Sequence, residues 1–366
     1  MREFRLEAER VKRIVVRGTN WVGDAVMTVP ALRALRALLP QAHITLATRP
    51  WARGLFDDAD FIDELLIYER RPRDLRAVHR QTREWRRRRF DLAVLFQNAF
   101  EAALIAAAAR VPARLGYATD GRRFLLTHPL LLPAWRSERH EVFYYLNIVA
   151  ELERALFGTK EIEGRAPDDT LRVSPERQAE ARALLSAHGV QKERTLIALC
   201  PGSTNSRAKR WPAERFAALA DQLIEEADAE VLLVGSPDEL EVSVQVSAAM
   251  RHRPVMLTGE TDLRQAVAVL SLASAVVTND TGPAHIAAAL GRPTLVIFGP
   301  TDPRTTRPFS EKAEIIRRPP ECAPCMLREC PIDHRCMTAI TAAEVFARAC
   351  ALMRGARTAS SIEVQA

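Results

Sequence analysis

Short apolar runs alternate with amphipathic stretches along most of the chain, and this alternation restricts the fold more than any other feature. A first series runs RIVVR (13–17), a helical stretch from about Ala25 to Leu38, ITLAT (44–48), ELLIY (64–68), DLAVLF (91–96) and an Ala-rich helix from about Phe100 to Arg110. A second runs TLIALC (195–200), a helix over 212–227, EVLLVG (230–235), a helix over 238–250, VMLTG (255–259), a helix over 262–272, SAVVTN (274–279), a helix over 283–290 and TLVIF (294–298). Strands that are apolar nearly throughout, with helices between them, fit a parallel sheet covered on both faces. The sequence therefore predicts an α/β protein of two Rossmann-like, doubly wound parallel-sheet domains facing each other across a cleft. The polar stretch 158–176, with its Gly and Pro, separates an N-terminal domain over 1–165 from a C-terminal domain over 176–366.

A length of 366 residues suits two such domains, and 48% hydrophobic with 27% charged residues excludes disorder, collagen and a disulfide-stapled miniprotein. The uncharged apolar run Ala102 to Ala109 is far shorter than the ~20 residues of a membrane helix. MREFRLEAER at the start has no apolar core of a secretory signal, so a cytoplasmic protein is expected. The net charge of +6 is uneven: of 52 Lys+Arg and 46 Asp+Glu, residues 1–150 hold 26 and 17, leaving 26 and 29 for the rest. A basic first part points to an anionic partner such as a phosphorylated glycolipid, nucleic acid or a membrane surface. Five of the basic residues are Lys, however, so an Arg-rich codon bias explains the same numbers. The densest run, 69–89 with Arg86, Arg87, Arg88 and Arg89, is either a basic binding face or simply an exposed helix.

The first strand runs straight into Gly18-Thr19-Asn20-Trp21-Val22-Gly23-Asp24. Loops at the carboxyl ends of strands line the ligand crevice of an open α/β sheet, which makes this a candidate site. It lacks the G-x-G-x-x-G spacing of a dinucleotide fingerprint. Asp24 opens the next helix, as an N-cap or as a carboxylate available for general base work. TLIALC leads in the same way into a loop carrying Ser203, Thr204, Lys209 and Arg210. Small hydroxyls backed by basic groups read as a phosphate loop, or as a surface loop with incidental charges; it is not a Walker A loop. Asn279-Asp280-Thr281-Gly282-Pro283-Ala284-His285 ends the strand SAVVTN and begins a helix. Thr281 and Gly282 there would offer backbone N–H groups to an anion, with the helix dipole behind them and His285 within reach. Asp238 and Glu239 follow EVLLVG, where an acidic group accepts a ribose hydroxyl or caps the next helix. Two halves with a carboxylate on one side and phosphate-binding groups on the other suit group transfer from a nucleotide-activated donor.

These residues resemble glycosyltransferase family 9, and within it the lipopolysaccharide heptosyltransferases, most nearly those of the heptosyltransferase II type. The resemblance rests on RGTNWVGDAVMTVPALRAL (17–35), CPGSTNSRAKRWP (200–212), VLLVGSPDE (231–239), LTGETDL (257–263), NDTGPAHIAAALGRPTLVIFGPTDP (279–303) and CAPCMLRECPIDHRCM (322–337), and so covers nearly the whole chain. It implies a GT-B fold, with the acceptor on the N-terminal domain and ADP-L-glycero-D-manno-heptose on the C-terminal domain. It implies an inverting displacement with Asp24 as base, and Ser203, Thr204 and Lys209 in the phosphate loop, Lys209 neutralising the pyrophosphate. Asp280, Thr281, Gly282 and His285 match the heptose- and diphosphate-binding motif, and Asp238 is a weaker match for the ribose. The acceptor implied is the Kdo- and heptose-containing inner core on lipid A, met by transient contact of a basic face at the cytoplasmic side of the inner membrane, with no nucleic acid involved. Heptosyltransferase I, or a family 9 enzyme with another donor sugar, is the alternative within the family.

Cys322, Cys325, Cys330 and Cys336 stand as C-x₂-C-x₄-C-x₅-C beside His334. The ligand types suit zinc, but the spacing is not that of a finger or ribbon, so reduced thiols packing a loop, or a disulfide, also fit. A non-catalytic nucleotide- or zinc-binding protein is the reading from a different class. For the transferase no cofactor beyond the donor substrate is required, because Lys209 and helix N-termini supply the positive charge a metal would bring.

Overall fold

The computed structural model describes residues 7–69, 74–191 and 194–363, with side chains as far as Gly355. Residues 1–6 of the start and Arg70, Arg71 and Arg73 of the basic run lie outside them. The chain divides into two compact units, Met1–Asp169 and Thr170–Ala366.

The first unit holds strands β1 (Arg13–Arg17), β2 (His43–Thr48), β3 (Glu64–Ile67), β4 (Leu92–Leu95), β5 (Ala113–Tyr117) and β6 (His128–Leu130). They pair in parallel in the order β3-β2-β1-β4-β5-β6. The second holds β7 (Thr195–Cys200), β8 (Ala229–Leu233), β9 (Val255–Met256), β10 (Ala275–Asn279), β11 (Thr294–Phe298) and β12 (Ala313–Arg317). Its order is β12-β11-β10-β7-β8-β9, again parallel throughout. Both are Rossmann-type sheets in which the winding reverses once, between β1 and β4 and between β7 and β10. Ligands of open α/β sheets bind where the winding reverses, beyond the carboxyl ends of those strands. The topology thus puts the loops after β1, β4, β7 and β10 at the two places where a ligand would sit.

The predicted helix over 25–38 is two helices, Val22–Met27 and Val29–Leu38. Pro30 has no N–H and its ring would meet the carbonyl of Val26 in an unbroken helix, so the chain turns at Thr28. The Thr28 hydroxyl donates to the Ala25 carbonyl at 2.7 Å and steadies the break. The sequence reading passes over β5, β6, β12 and the helices Glu141–Phe157 and Pro175–Ala187. β6 is three residues long with a central proline, a combination confined to sheet edges and without an apolar pattern to find.

The basic run forms the helix Leu75–Arg88, capped by Asp74, whose side chain accepts from the Ala77 N–H at 3.0 Å. Ala77, Gln81 and Trp85 recur every four residues and are buried, so one stripe packs on the sheet while the arginines face outward. Trp85 is 1% exposed and meets Phe90 edge to face at 5.9 Å. In the second unit Trp211 plays the corresponding part: it is fully buried and donates from Nε1 to the Ile340 carbonyl at 3.0 Å. Among the described residues no helix is long and apolar enough to cross a membrane.

Candidate active site

In the first unit the loop after β1 begins at Gly18. A side chain there would press on Leu46 Cδ1 and Thr48 Oγ1, both at 3.3 Å, which is why β1 and β2 can lie close at their carboxyl ends. Trp21, not Asp24, is the N-cap of the helix Val22–Met27, and Asp24 is the acidic residue of its first turn. Asp24 is half-buried, close enough that its charge, after burial itself, raises the pKa of the buried Tyr145 phenol. Beside it the buried Thr19 Oγ1 and Asn20 Oδ1 have no hydrogen-bond partner among the described residues. Buried polar atoms without partners are rare in native proteins, and two in one strand-end loop mark it as a place completed by a ligand or water.

Two arginines that the sequence does not single out underlie this end of the sheet. Arg17 is 1% exposed; it donates from Nε to Gln97 Oε1 at 3.1 Å and from Nη1 to Gln81 Oε1 at 2.7 Å, and lies 3.6 Å from the centroid of the Tyr68 ring. Arg122 is fully buried and donates to the carbonyls of Tyr117 and Gln97 at 2.8 and 2.5 Å and to Asn98 Oδ1 at 2.8 Å. Burial lowers the Arg122 pKa, yet these acceptors keep the cation satisfied. Together the two tie the loops after β1, β4 and β5 into one rigid floor.

Of the basic run, Arg88 bridges Glu64 and Glu84 at 2.5 and 2.7 Å, Arg87 pairs with Glu84 at 2.8 Å, and Arg86 donates to the Ala108 carbonyl at 2.5 Å. Arg89, in the left-handed C-cap position, is exposed. The charges of Arg87 and Arg88 are thus paired with Glu84 of the same helix and Glu64 of β3, while Arg86 and Arg89 have no carboxylate among the described residues.

In the second unit Asn279, at the end of β10, is fully buried and stitches the loop after β7 at both ends. It donates from Nδ2 to the Pro201 carbonyl at 2.8 Å and accepts the Trp211 N–H on Oδ1 at 3.0 Å. Next to it Asp280 is 3% exposed, and its Oδ2 accepts from Lys209 Nζ at 2.8 Å and from the Thr301 hydroxyl at 2.6 Å. Lys209 Nζ also reaches the Asp280 carbonyl at 3.1 Å. Ser203 is buried, and its carbonyl takes two donors from the Arg210 guanidinium at 3.2 and 3.0 Å, whereas Thr204 is exposed. Thr281 is the N-cap of the helix Gly282–Ala289 with no side chain closing that end. The first N–H groups of a helix lack partners within it, so this end has the donors to receive an anion. His285 is buried on its first turn. Lys209, Asp280 and the helix N-terminus therefore meet at one point, where the winding reverses.

The carboxylate that meets this loop is Glu239. Asp238 is exposed, while Glu239 lies so close to Gly202 that an added Cβ would stand 2.2 Å from its Cδ. Glu239 Oε2 accepts from the N–H and hydroxyl of Ser236 at 2.9 and 3.1 Å, which fixes the side chain over the glycine. Of the pair Asp238 and Glu239 that the sequence offers, Glu239 is the one brought to this loop, whereas Thr301 escapes the sequence reading as a site residue, because it reaches Asp280 through a contact distant in sequence.

The four clustered cysteines are free thiols that line one small cavity with His334. Burial, then the neighbouring cysteines, raises the pKa of Cys336. Among the described residues no group of three or more His, Cys, Asp or Glu side chains is arranged to hold a metal ion.

Two Rossmann sheets, with a carboxylate beside buried polar atoms in one and a lysine–aspartate pair at a helix N-terminus in the other, fit a GT-B fold. Comparison with known proteins agrees. Residues 78–335 match the family model of glycosyltransferase family 9 (heptosyltransferase). The chain is 34% identical over 327 residues to lipopolysaccharide heptosyltransferase 2 of Salmonella typhimurium, covering 83% of this chain and 88% of that one. It is 33% identical to the Escherichia coli protein of the same name, with the same coverage. The solved structure of E. coli ADP-heptose LPS heptosyltransferase II superposes with a TM-score of 0.80 at 29% identity, over 94% of this chain and 99% of that one. On this match over most of its length and this identity to its relatives, the chain belongs to glycosyltransferase family 9, the heptosyltransferases.

Proposed function

We propose that this enzyme transfers L-glycero-D-manno-heptose from ADP-heptose to the heptose of the lipopolysaccharide inner core. The names of its relatives supply the substrate class. The observation that carries the reading within the chain is the Lys209–Asp280 pair, held by Thr301 at the N-terminus of the helix Gly282–Ala289. We assign acceptor binding to the N-terminal domain over 1–165 and donor binding to the C-terminal domain over 176–366.

One inverting displacement suffices. The acceptor hydroxyl gives its proton to Asp24 as its oxygen attacks the anomeric carbon, and the bond from that carbon to the diphosphate oxygen breaks to release ADP. A general base in this position contributes on the order of 10²–10⁴ in rate. Lys209 stabilises the charge that develops on ADP, helped by the backbone N–H groups of Thr281 and Gly282 and by Ser203 and Thr204. In the free protein Lys209 rests on Asp280; a diphosphate adds anionic oxygens to the same ammonium, and Asp280 holds sugar hydroxyls beside it. Glu239, clamped over Gly202, takes the ribose hydroxyl in preference to the exposed Asp238. His285 supports the helix end from within its first turn. Positive charge from these groups makes a metal unnecessary for the step, and undiminished turnover in EDTA is the expected result. The lipid acceptor would bring the enzyme to the cytoplasmic face of the inner membrane, with Arg86 and Arg89 as the basic groups still available to an anionic surface.

The test is turnover of ADP-L-glycero-D-manno-heptose with inner-core acceptors bearing no heptose or one. Transfer to the one-heptose acceptor alone is expected. Transfer only to the heptose-free acceptor would make the enzyme a heptosyltransferase I, and no transfer to either would move the question to the donor sugar.

A further inference from the structure

We infer that His334 is a positioning residue for donor binding: its imidazole grips the backbone of the one-turn helix that carries Lys209 and so fixes where the ammonium stands. The inference rests on the assignment of Lys209 to the donor diphosphate. Lys209 ends a 3-10 turn of three residues, Arg207–Lys209, closed by Lys209 N–H to Ser206 at 3.2 Å and Arg210 N–H to Arg207 at 3.0 Å. So short a turn does not hold itself, because two hydrogen bonds do not offset the ordering of its backbone. Asn279 and the Arg210 guanidinium hold its flanks, and the cysteine-rich segment behind it holds its centre.

Ala208, at the centre of the turn, is 2% exposed, and that segment grips both its backbone groups. Its N–H donates to the Arg328 carbonyl at 2.9 Å, and its carbonyl accepts from His334 Nε2 at 2.6 Å. A carbonyl can only accept, so Nε2 carries a proton. The Ser206 hydroxyl adds a weaker link to the Arg328 carbonyl at 3.3 Å. His334 reaches the turn from a left-handed backbone conformation, φ 56°, at the N-cap of the helix Arg335–Thr338. Cys322, Cys325, Cys330 and Cys336 surround the same cavity and pack the segment that aims the ring. The neighbouring Met326 N–H donates to the Pro300 carbonyl at 2.9 Å, one residue before Thr301, so the segment also backs the second donor to Asp280. The motif that chemistry at the diphosphate leaves unused thus becomes the support of both groups that fix Asp280.

Three variants separate reach from backbone conformation. His334→Ala removes the donor; His334→Asn tolerates the left-handed conformation but is too short; His334→Gln restores a donor at nearly the reach of Nε2. Calorimetry with ADP, and KM for ADP-heptose where turnover is measured, should show about tenfold weaker donor binding for Ala and Asn. Gln should recover most of it, and the acceptor KM should not move. A merely structural role would lower kcat through the fraction of active enzyme and leave donor KM unchanged, and that result overturns the inference. A second readout needs no substrate: with five lysines in the chain, amine labelling followed by mass spectrometry resolves each one. Labelling at Lys209 should rise in Ala and Asn relative to Lys12, Lys160 and Lys312; equal rates at Lys209 in all variants overturn it. Wild-type protein that does not bind ADP would instead sink the assignment of the donor site.

Discussion

Asp24 and Lys209 are separable because one handles a proton on the acceptor and the other a charge on the leaving group. Asp24→Asn keeps the shape and removes the basic lone pair, so calorimetry should find ADP binding nearly unchanged while turnover falls about 10²–10⁴-fold. Full activity in that variant would remove Asp24 from the role. Lys209→Ala takes away the cation that meets the diphosphate and leaves the buried Asp280 with Thr301 as its remaining side-chain donor. Donor KM should rise and kcat fall, together about 10²–10³-fold in kcat/KM. Gly202→Ala tests the neighbouring contact: a methyl 2.2 Å from Glu239 Cδ must push that carboxylate off its Ser236 donors. About tenfold weaker binding of ADP is expected, with the same affinity as wild type telling against Glu239 as the ribose partner. Asp24, Lys209 and Asp280 are legible in the sequence because each is a charged residue in the segment between an apolar strand and the body of the helix that follows it. Which of Asp238 and Glu239 meets Gly202, Thr301 on Asp280, and the buried Arg17 and Arg122 are not. Their roles come from contacts between loops that only the sheet order brings together, and a buried arginine on a strand looks in sequence like any surface charge.

Elements were readable to the extent that burial gave them a pattern. The central strands β1, β4, β7, β10 and β11 are buried along most or all of their length, and each stands in the sequence as an uninterrupted apolar run. Of the four edge strands β3 and β9 still stand as short apolar runs, whereas β6 and β12 are half-buried and mixed and leave no such run. The break at Thr28 was visible only in hindsight of Pro30, since the apolar period continues through it. A further element that no pattern announces is the turn Glu161–Gly164, which follows the helix Glu141–Phe157 at the end of the first unit. Glu153, 4% exposed on that helix, organises it: its carboxylate accepts the N–H groups of Glu161 and Ile162, each at 3.0 Å, and the Thr159 hydroxyl at 2.8 Å. Burial alone pushes its pKa up, but these donors, with the charge of Arg165, bring the net below the ordinary 4.5. A carboxyl whose folded pKa is depressed contributes stability that is present above its unfolded pKa and is lost as pH falls through the folded one. Glu153→Gln should therefore destabilise the fold by about 2 kcal/mol at pH 7 in urea unfolding. The gap to wild type should close as pH falls below about 4.5. A gap that persists undiminished at pH 3 would mean that the variant acts through packing and not through the charge.

At the scale of the whole molecule, the two sheets share one strand order but carry different chemistry at the same topological point. The first has a carboxylate and unpartnered hydroxyl and amide oxygens after β1; the second has a lysine, an aspartate and a bare helix end after β7 and β10. This division implies that a nucleotide diphosphate without acceptor should stabilise one unit selectively. A ligand that binds only the folded form at 100 times its Kd stabilises by about 2.7 kcal/mol, which slows exchange through the opening it blocks roughly a hundredfold. Hydrogen exchange with saturating ADP should accordingly show strong new protection within Thr170–Ala366, centred on 201–211 and 279–289, where the Asn279 and Lys209 contacts lie. Amides of β1 and the helix Val22–Met27 in Met1–Asp169 should change little. Protection spread equally over both units would mean that the nucleotide engages residues of the first sheet as well, and the assignment of donor to one unit and acceptor to the other would fail. Protection confined to the second unit would leave the loop Gly18–Asp24, with its unpartnered Thr19 and Asn20, for the acceptor sugar.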